Sequence, residues 1–365
     1  MKSLSAALRL LIVLLISISP SQAEILIGFA GPLTGPRAWS GQQFQRGAEQ
    51  AVADINTLGG VLGQRLTLMV GDDASDARQA QAVARKLVAD GVSLVIGHRS
   101  SDMTNAAASI YADAGVIQIT PSSTNPALTE KGIKTFFRVC GRDDQQAILA
   151  AGHLHQHWSG KNIGIVHDGS SYGLGLAQST RDLLNAHGTR EALFLGFDPG
   201  QLDYGDLLSE VKSKGIEVLY IGAYSAESAL IVRQARDAGL DFQLVSGDAL
   251  HNSDFGLIAG DAGNGAHFTF DIDPRTRPAA KSIVQRFRAV GYEPEGYTIH
   301  TYAALQVWTQ AVEKAATLES DAVVKAMHSQ SFDTVLGGLS FDEKGDLTQH
   351  VYTWYLWRDG VPTRQ

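Results

Sequence analysis

Ile25-Leu26-Ile27-Gly28-Phe29-Ala30 is a short apolar run that stops at Gly31-Pro32 and gives way, over 41–56, to an amphipathic segment of helical length. The same unit follows twice more. The pattern predicts a strand over 65–70, a helix over 77–89, a strand over 93–97, a helix over 104–114 and a strand over 116–120. Short strands alternating with helices produce a parallel sheet covered on both faces. The alternation restarts after Cys140-Gly141-Arg142-Asp143-Asp144, with helices expected over 145–156, 172–187, 204–214 and 226–238 and strands over 162–167, 192–196, 218–222 and 242–246. A second sheet is implied, and the fold class is α/β with two doubly wound parallel-sheet lobes.

From Pro274 the order changes to helices over 278–290, 297–316 and 321–328, then two segments over 334–341 and 351–359. Such a tail is too small for a third domain, so it returns to complete the first two, the last strand in the second lobe. With no Pro-rich or Ser-rich linker, ordinary crossovers are expected near 139–142, 268–271 and 349–351. The expected lobes are 24–140 plus 271–349 and 141–270 plus 350–365. Several parallel crossovers permit hinge bending while restricting other motion.

Lys2 and Arg9 precede the apolar run 10–18, and Pro20-Ser21-Gln22-Ala23 offers small residues at the cleavage-defining positions. This is the pattern of a signal peptide cut after Ala23 and a periplasmic destination. A membrane anchor would need about 20 apolar residues, and no Cys follows the run to carry a lipid. Removing 1–23 takes Lys2 and Arg9 and no acid, so 30 basic residues become 28 against 38 acidic ones, a net charge of −10. That surface repels nucleic acid and anionic lipid, and no stable membrane insertion is expected. Cys140 is the only cysteine, so no internal disulfide forms and core burial must supply stability.

In doubly wound sheets ligands bind beyond the carboxyl ends of the strands, where helix N-termini offer free N–H groups. Three such loops in the first half are rich in hydroxyls: Trp39 and Ser40 after the first strand, Arg99, Ser100 and Ser101 after the third, and Ser122, Ser123 and Thr124 after the fourth. Any one of these Ser or Thr residues can be a helix cap. Three at one sheet edge suit a carboxylate. The second half presents Tyr172, Tyr224 and Asp248 at corresponding places. The tyrosines suit a cleft wall. Asp248 is either the partner of an ammonium group or a cap.

The stretches Gly47-Ala48-Glu49-Gln50-Ala51-Val52-Ala53-Asp54-Ile55-Asn56, Val95-Ile96-Gly97-His98, Ile119-Thr120-Pro121, Ile165-Val166-His167-Asp168, Gln234-Ala235-Arg236-Asp237-Ala238-Gly239, Thr301-Tyr302-Ala303-Ala304-Leu305-Gln306 and Phe341-Asp342-Glu343-Lys344-Gly345-Asp346-Leu347 run in order along the chain. Together they resemble the periplasmic leucine/isoleucine/valine-binding proteins of branched-chain amino acid ABC transporters. The resemblance implies a type I periplasmic binding protein fold, a monomer that captures an amino acid between its lobes without a cofactor, and delivery to an inner-membrane permease. It also implies roles for named positions. Ser101 and Thr124 would hold the ligand's carboxylate and ammonium with backbone help at Ser122 and Ser123, and Tyr172 would close over the carboxylate. Asp248 would face the ammonium, with Tyr224 and Tyr297 lining the side-chain pocket.

Departures from the family pattern bear on the ligand. Arg99 stands where leucine-type members are apolar, and Ser40 beside Trp39 where they are aromatic. An unpaired guanidinium in an apolar pocket is costly, so either Arg99 turns to solvent or the ligand carries a second polar group. Asp248 is shorter than the usual glutamate, and Ser75 and Ser100 stand where some members carry a disulfide.

Gly169-Ser170-Ser171-Tyr172-Gly173 fits the G-x-S-x-G pattern of a nucleophile elbow, which makes a serine hydrolase using Ser171 the alternative reading. No motif supports His251 or His300 as its base. Presentation of the ligand to a chemoreceptor is a further alternative. His153, His155 and His157 read as a solvated helix face, since two imidazoles on one side are too few for tight zinc binding. The segment 28–35 lacks both dinucleotide spacing and a P-loop lysine.

Overall fold

The computed structural model describes residues 24–349 and 352–365. The expected signal peptide at 1–23 lies outside the described residues, as does part of the expected third crossover. The first sheet contains β1 (Ile25–Gly31), β2 (Leu66–Asp72), β3 (Leu94–Gly97), β4 (Ile117–Thr120) and β5 (Phe136–Arg138), all parallel in the order β2-β1-β3-β4-β5. Between them run α1 (Ala38–Thr57), α2 (Ala77–Ala89) and α3 (Ser101–Asp113). Phe44, Ala48, Ala51, Val52 and Ile55 form the buried stripe of α1, the helical spacing that a sheet-covering helix requires.

The second sheet repeats the plan. Its parallel strands β6 (Ile163–His167), β7 (Leu193–Gly196), β8 (Val218–Gly222), β9 (Gln243–Ser246) and β10 (His267–Asp271) stand in the order β10-β9-β8-β6-β7. The helices α4 (Asp143–Trp158), α5 (Ser171–Ala186), α6 (Gly205–Ser213), α7 (Ser225–Asp237) and the short α8 (Ser253–Ala259) connect them. In each sheet the chain winds first to one side and then to the other, so switch points lie between β1 and β3 and between β6 and β8. Crevices at switch points are where such sheets take ligands.

The tail supplies α9 (Lys281–Ala289), α10 (Thr298–Ala315), α11 (Ser320–Ser329), a hairpin of β11 (Phe332–Thr334) and β12 (Gly337–Leu339), and the final pair β13 (Tyr352–Arg358) and β14 (Val361–Arg364). α10 packs along α1. β13 lies antiparallel on β10 and β14 antiparallel on β13. The second sheet is therefore mixed at one edge rather than wholly parallel, as expected from the strand-helix alternation alone. Asp359 and Gly360, with φ of 50° and 76°, make the turn; positive φ at both central residues gives the type I′ geometry that matches strand twist.

Three local readings need correction. The run 136–138, for which the pattern predicts no element, is a fifth strand just before the expected crossover at 139–142, and its register with β4 pairs Ile119 with Phe137. The short α8 gave no periodic signal. His153 is not on a solvated face: its ring stacks on Trp354 at 4.3 Å and lies 5.2 Å from His267. Burial pulls its pKa down to about 4, so this imidazole is neutral at physiological pH. No helix among the described residues is long and apolar enough to cross a membrane.

Candidate functional site

The two switch points face one another across a cavity lined from both halves of the chain. From the first half come Ser40 and Phe44 on α1, Arg99 and Ser101 after β3, and Ser122 after β4. Facing them are Tyr172 in the first turn of α5, Tyr224 just before α7, and Asp248, Ala249, His251 and Asn252 after β9; Gly296 and Tyr297 before α10 complete the wall.

Ser101 is the first residue of α3, so the unpaired N–H groups of that helix end open on the cavity. Its Oγ accepts from the Asn125 N–H at 3.3 Å, which leaves the hydroxyl proton available to an anion. The Ser122 hydroxyl donates to the Arg99 carbonyl at 2.7 Å and fixes the loop. Ser123 does not line the cavity: its hydroxyl pairs with Thr104 Oγ1 at 2.7 Å, so only backbone could serve a ligand there. Thr124 is buried behind the wall with its hydroxyl beside the Asp143 carboxyl. Trp39, 50% exposed, stands outside the cavity; the neighbouring Ser40 takes the inward position, its hydroxyl donating to the Arg37 carbonyl at 3.0 Å.

Asp248 is the electrostatic centre. Its Oδ1 accepts from Tyr172 Oη at 2.9 Å and Gln146 Nε2 at 2.8 Å, and its Oδ2 accepts from Tyr297 Oη at 2.5 Å. Burial raises its pKa, and the three side-chain donors act in the opposite direction. A carboxylate has about four acceptor positions, so one remains for a ligand. The assembly depends on a close approach behind it. A Cβ on Gly247 would stand 2.7 Å from Tyr172 Oη and 2.6 Å from Leu176 Cδ2, so only glycine lets the tyrosine reach Asp248. Gln146 Nε2 also donates to Asp143 Oδ1 at 3.0 Å, while Gln146 Oε1 accepts from the Asp248 N–H at 3.0 Å.

Tyr224 packs on Tyr172 with ring centroids 5.1 Å apart, and the guanidinium carbons of Arg37 and Arg99 lie 4.1 and 4.9 Å from its ring centroid. Arg37 also reaches Glu227 at 3.4 Å. Across the mouth, Asp102 Oδ1 accepts from the Ser171 N–H at 3.0 Å and from the Ser171 hydroxyl, and Asn125 Nδ2 donates to the Ser171 carbonyl at 2.5 Å. Ser171 is thus a clasp between the two halves, its hydroxyl directed to a carboxylate instead of an imidazole.

Of the eleven residues expected at the site, Ser40, Arg99, Ser101, Ser122, Tyr172, Tyr224, Asp248 and Tyr297 line one cavity, whereas Trp39, Ser123 and Thr124 do not. Sequence reasoning missed Phe44, Ala249, His251, Asn252 and Gly296. Phe44 was legible only as a core residue of an amphipathic helix. Ala249, His251 and Asn252 follow a strand end closely and were within reach of the same strand-end argument.

A model of the periplasmic binding protein family matches residues 24–360. The chain is 43% identical over 340 residues to Leu/Ile/Val-binding protein homolog 1 of Brucella melitensis, covering 93% of this chain and 92% of that one. It is 40% identical to an amino acid binding protein of Pseudomonas aeruginosa, covering 92% and 91%. Among solved structures, the leucine binding protein LivK of Thermotoga maritima superposes with a TM-score of 0.85 at 26% identity, covering 93% of this chain and 97% of that one. LivJ of Streptococcus pneumoniae in complex with isoleucine gives 0.82 at 26% identity, covering 94% and 100%.

Proposed function

Because the chain belongs to the periplasmic binding protein family, we propose that its cleft captures a free amino acid by the head group and holds it by closure of the two lobes. It is the substrate-binding component of an ABC importer of the branched-chain amino acid type, and not an enzyme. The observation that carries the head-group assignment is Asp248. A buried carboxylate held by three donors and left with one free acceptor position is suited to an ammonium group, and the N-terminus of α3 with the Ser101 hydroxyl is suited to a carboxylate.

In this reading Ser101 and the backbone around Ser122 and Ser123 take the ligand carboxylate, and Thr124 steadies the loop through Asp143. Tyr172 and Tyr297 orient Asp248, and Tyr224 walls the side-chain pocket with Ser40 and Arg99. Trp39 lies outside. The lobes divide as 24–140 plus 271–349 and 141–270 plus 350–365; the protein is exported by cleavage after Ala23, acts as a monomer, and docks in its closed form on the permease subunits.

The test is calorimetric titration of ligand-stripped protein with a panel of L-amino acids. Truncating one partner of a desolvated charged hydrogen bond costs ~2 to 5 kcal/mol, so Asp248→Ala and Ser101→Ala should each weaken the best ligand at least tenfold. Affinity unchanged in both would remove the assigned head-group site.

A further inference from the structure

The cleft contains a guanidinium with a buried N–H group that finds no acceptor in the protein. Arg99 lines the cavity. Its Nη1 is shut off from solvent with no hydrogen-bond partner, and burial pulls its pKa down, with Tyr224, Asp254 and Glu227 acting on it only electrostatically. Arg37, the other cation on the Tyr224 ring, is paired with Glu227 at 3.4 Å. The contact with the Tyr224 ring gives Arg99 a favourable field but no acceptor for its N–H groups.

Its neighbours share this condition. Tyr224 Oη, both ring nitrogens of His251, and Asn252 Oδ1 are buried without partners, and all three residues line the same cavity. Buried polar groups in proteins are nearly always paired, so this grouping defines a polar subsite and not a hydrocarbon pocket. His251 stacks flat on Phe270 at 3.9 Å, and burial pulls its pKa down to about 4. At neutral pH it therefore offers one N–H donor and one nitrogen acceptor.

We propose that Arg99 determines the specificity of this cleft and that the ligand is an α-amino acid whose side chain ends in an oxygen acceptor, a carboxylate or a carboxamide. The proposal rests on the head-group reading above. The guanidinium fork presents parallel N–H donors to a planar oxygen group, and His251 and Asn252 line the same cavity. A branched hydrocarbon side chain would leave the buried Nη1 of Arg99 without an acceptor. Asp254 and Glu227 already act on the charge of Arg99, so what it lacks is an acceptor, and a carboxamide supplies one as a carboxylate does.

The experiment uses the full chain, unfolded and refolded to strip co-purifying ligand, titrated with L-glutamate, L-glutamine and L-leucine. The wild type is expected to bind glutamate or glutamine at least tenfold more tightly than leucine, and which of the two binds more tightly separates carboxylate from carboxamide. Arg99→Leu should lose at least tenfold for that ligand and gain affinity for leucine. Arg99→Lys, which keeps the charge but not the fork, should fall between them; thermal unfolding of both variants checks that they fold. Leucine binding tightest to the wild type, or glutamate and glutamine unaffected by Arg99→Leu, overturns the proposal. If leucine binds and Asp248→Ala abolishes it while Arg99→Leu is silent, the specificity inference fails alone. If no amino acid binds the wild type, the head-group reading fails with it.

Discussion

Asp248 and Asp143 are two buried carboxyls joined by one amide, Gln146, and their protonation makes the site sensitive to pH. Burial raises the pKa of Asp248, so it takes up a proton at a pH where an exposed aspartate, with a pKa of about 3.9, is still ionised. Only the ionised form neutralises an ammonium group. Ligand affinity should therefore fall as pH drops through that raised value, and calorimetry between pH 8 and pH 4.5 checks it; a flat profile contradicts the role of Asp248. Asp143 acts on stability instead. Its pKa is raised well above the ordinary value by burial and by the neighbouring Asp248, so the folded protein binds the proton more tightly than the unfolded chain. Stability is then lost as pH rises from the unfolded pKa to the folded one. Asp143→Asn should raise the melting temperature at pH 8 by about 2 °C and leave it unchanged below pH 4. At this scale the residues at strand ends were legible, because strand-end position and chemistry coincide in Ser101, Tyr172 and Asp248. What could not be read was direction: Trp39 and Ser40 are adjacent in sequence, and only the phase of α1 decides which turns inward.

The elements that carry these residues are helix beginnings, and the clasp at Ser171 joins two of them, α3 and α5. Asp102 in the first turn of α3 accepts from both the N–H and the hydroxyl of Ser171, so a carboxylate near one helix N-terminus also caps the other, a favourable place for negative charge. The bonds span the two lobes and favour the closed arrangement. Each is worth about 1 kcal/mol net, so Asp102→Ala, which removes both, should weaken ligand binding about thirtyfold while leaving the order of ligand preference intact. A changed preference would mean that Asp102 shapes the pocket rather than the closure. The strands and long helices were legible because β-branched runs and amphipathic periods alternate. The antiparallel edge was not, because periodicity reports burial and carries no strand direction. α8 was missed since seven residues are too few to display a helical period.

At the scale of the molecule, the two sheets repeat one plan and differ at the edge where the tail inserts β13 and β14. Tyr297 stands at the start of α10, which packs on α1, and its ring meets Phe44 edge-on at 6.1 Å. Its hydroxyl reaches Asp248 after β9. The same carboxylate that is suited to the ligand ammonium is thus tied to the opposite lobe, so capture and closure act through one group. A ligand shifts the balance between open and closed forms only by the contacts it makes better in one of them, and here those contacts lie on both walls. Saturating ligand should therefore reduce the radius of gyration measured by X-ray scattering, with a midpoint matching the calorimetric one. It should also stabilise the fold by about 2.7 kcal/mol at a hundredfold excess over Kd. Tyr297→Phe removes the tie but leaves the ring, so it should weaken the compaction and reduce affinity while the α1–α10 packing keeps the melting temperature of the free protein near that of the wild type. Full compaction in Tyr297→Phe would show that the clasp and the ligand close the lobes without this tyrosine.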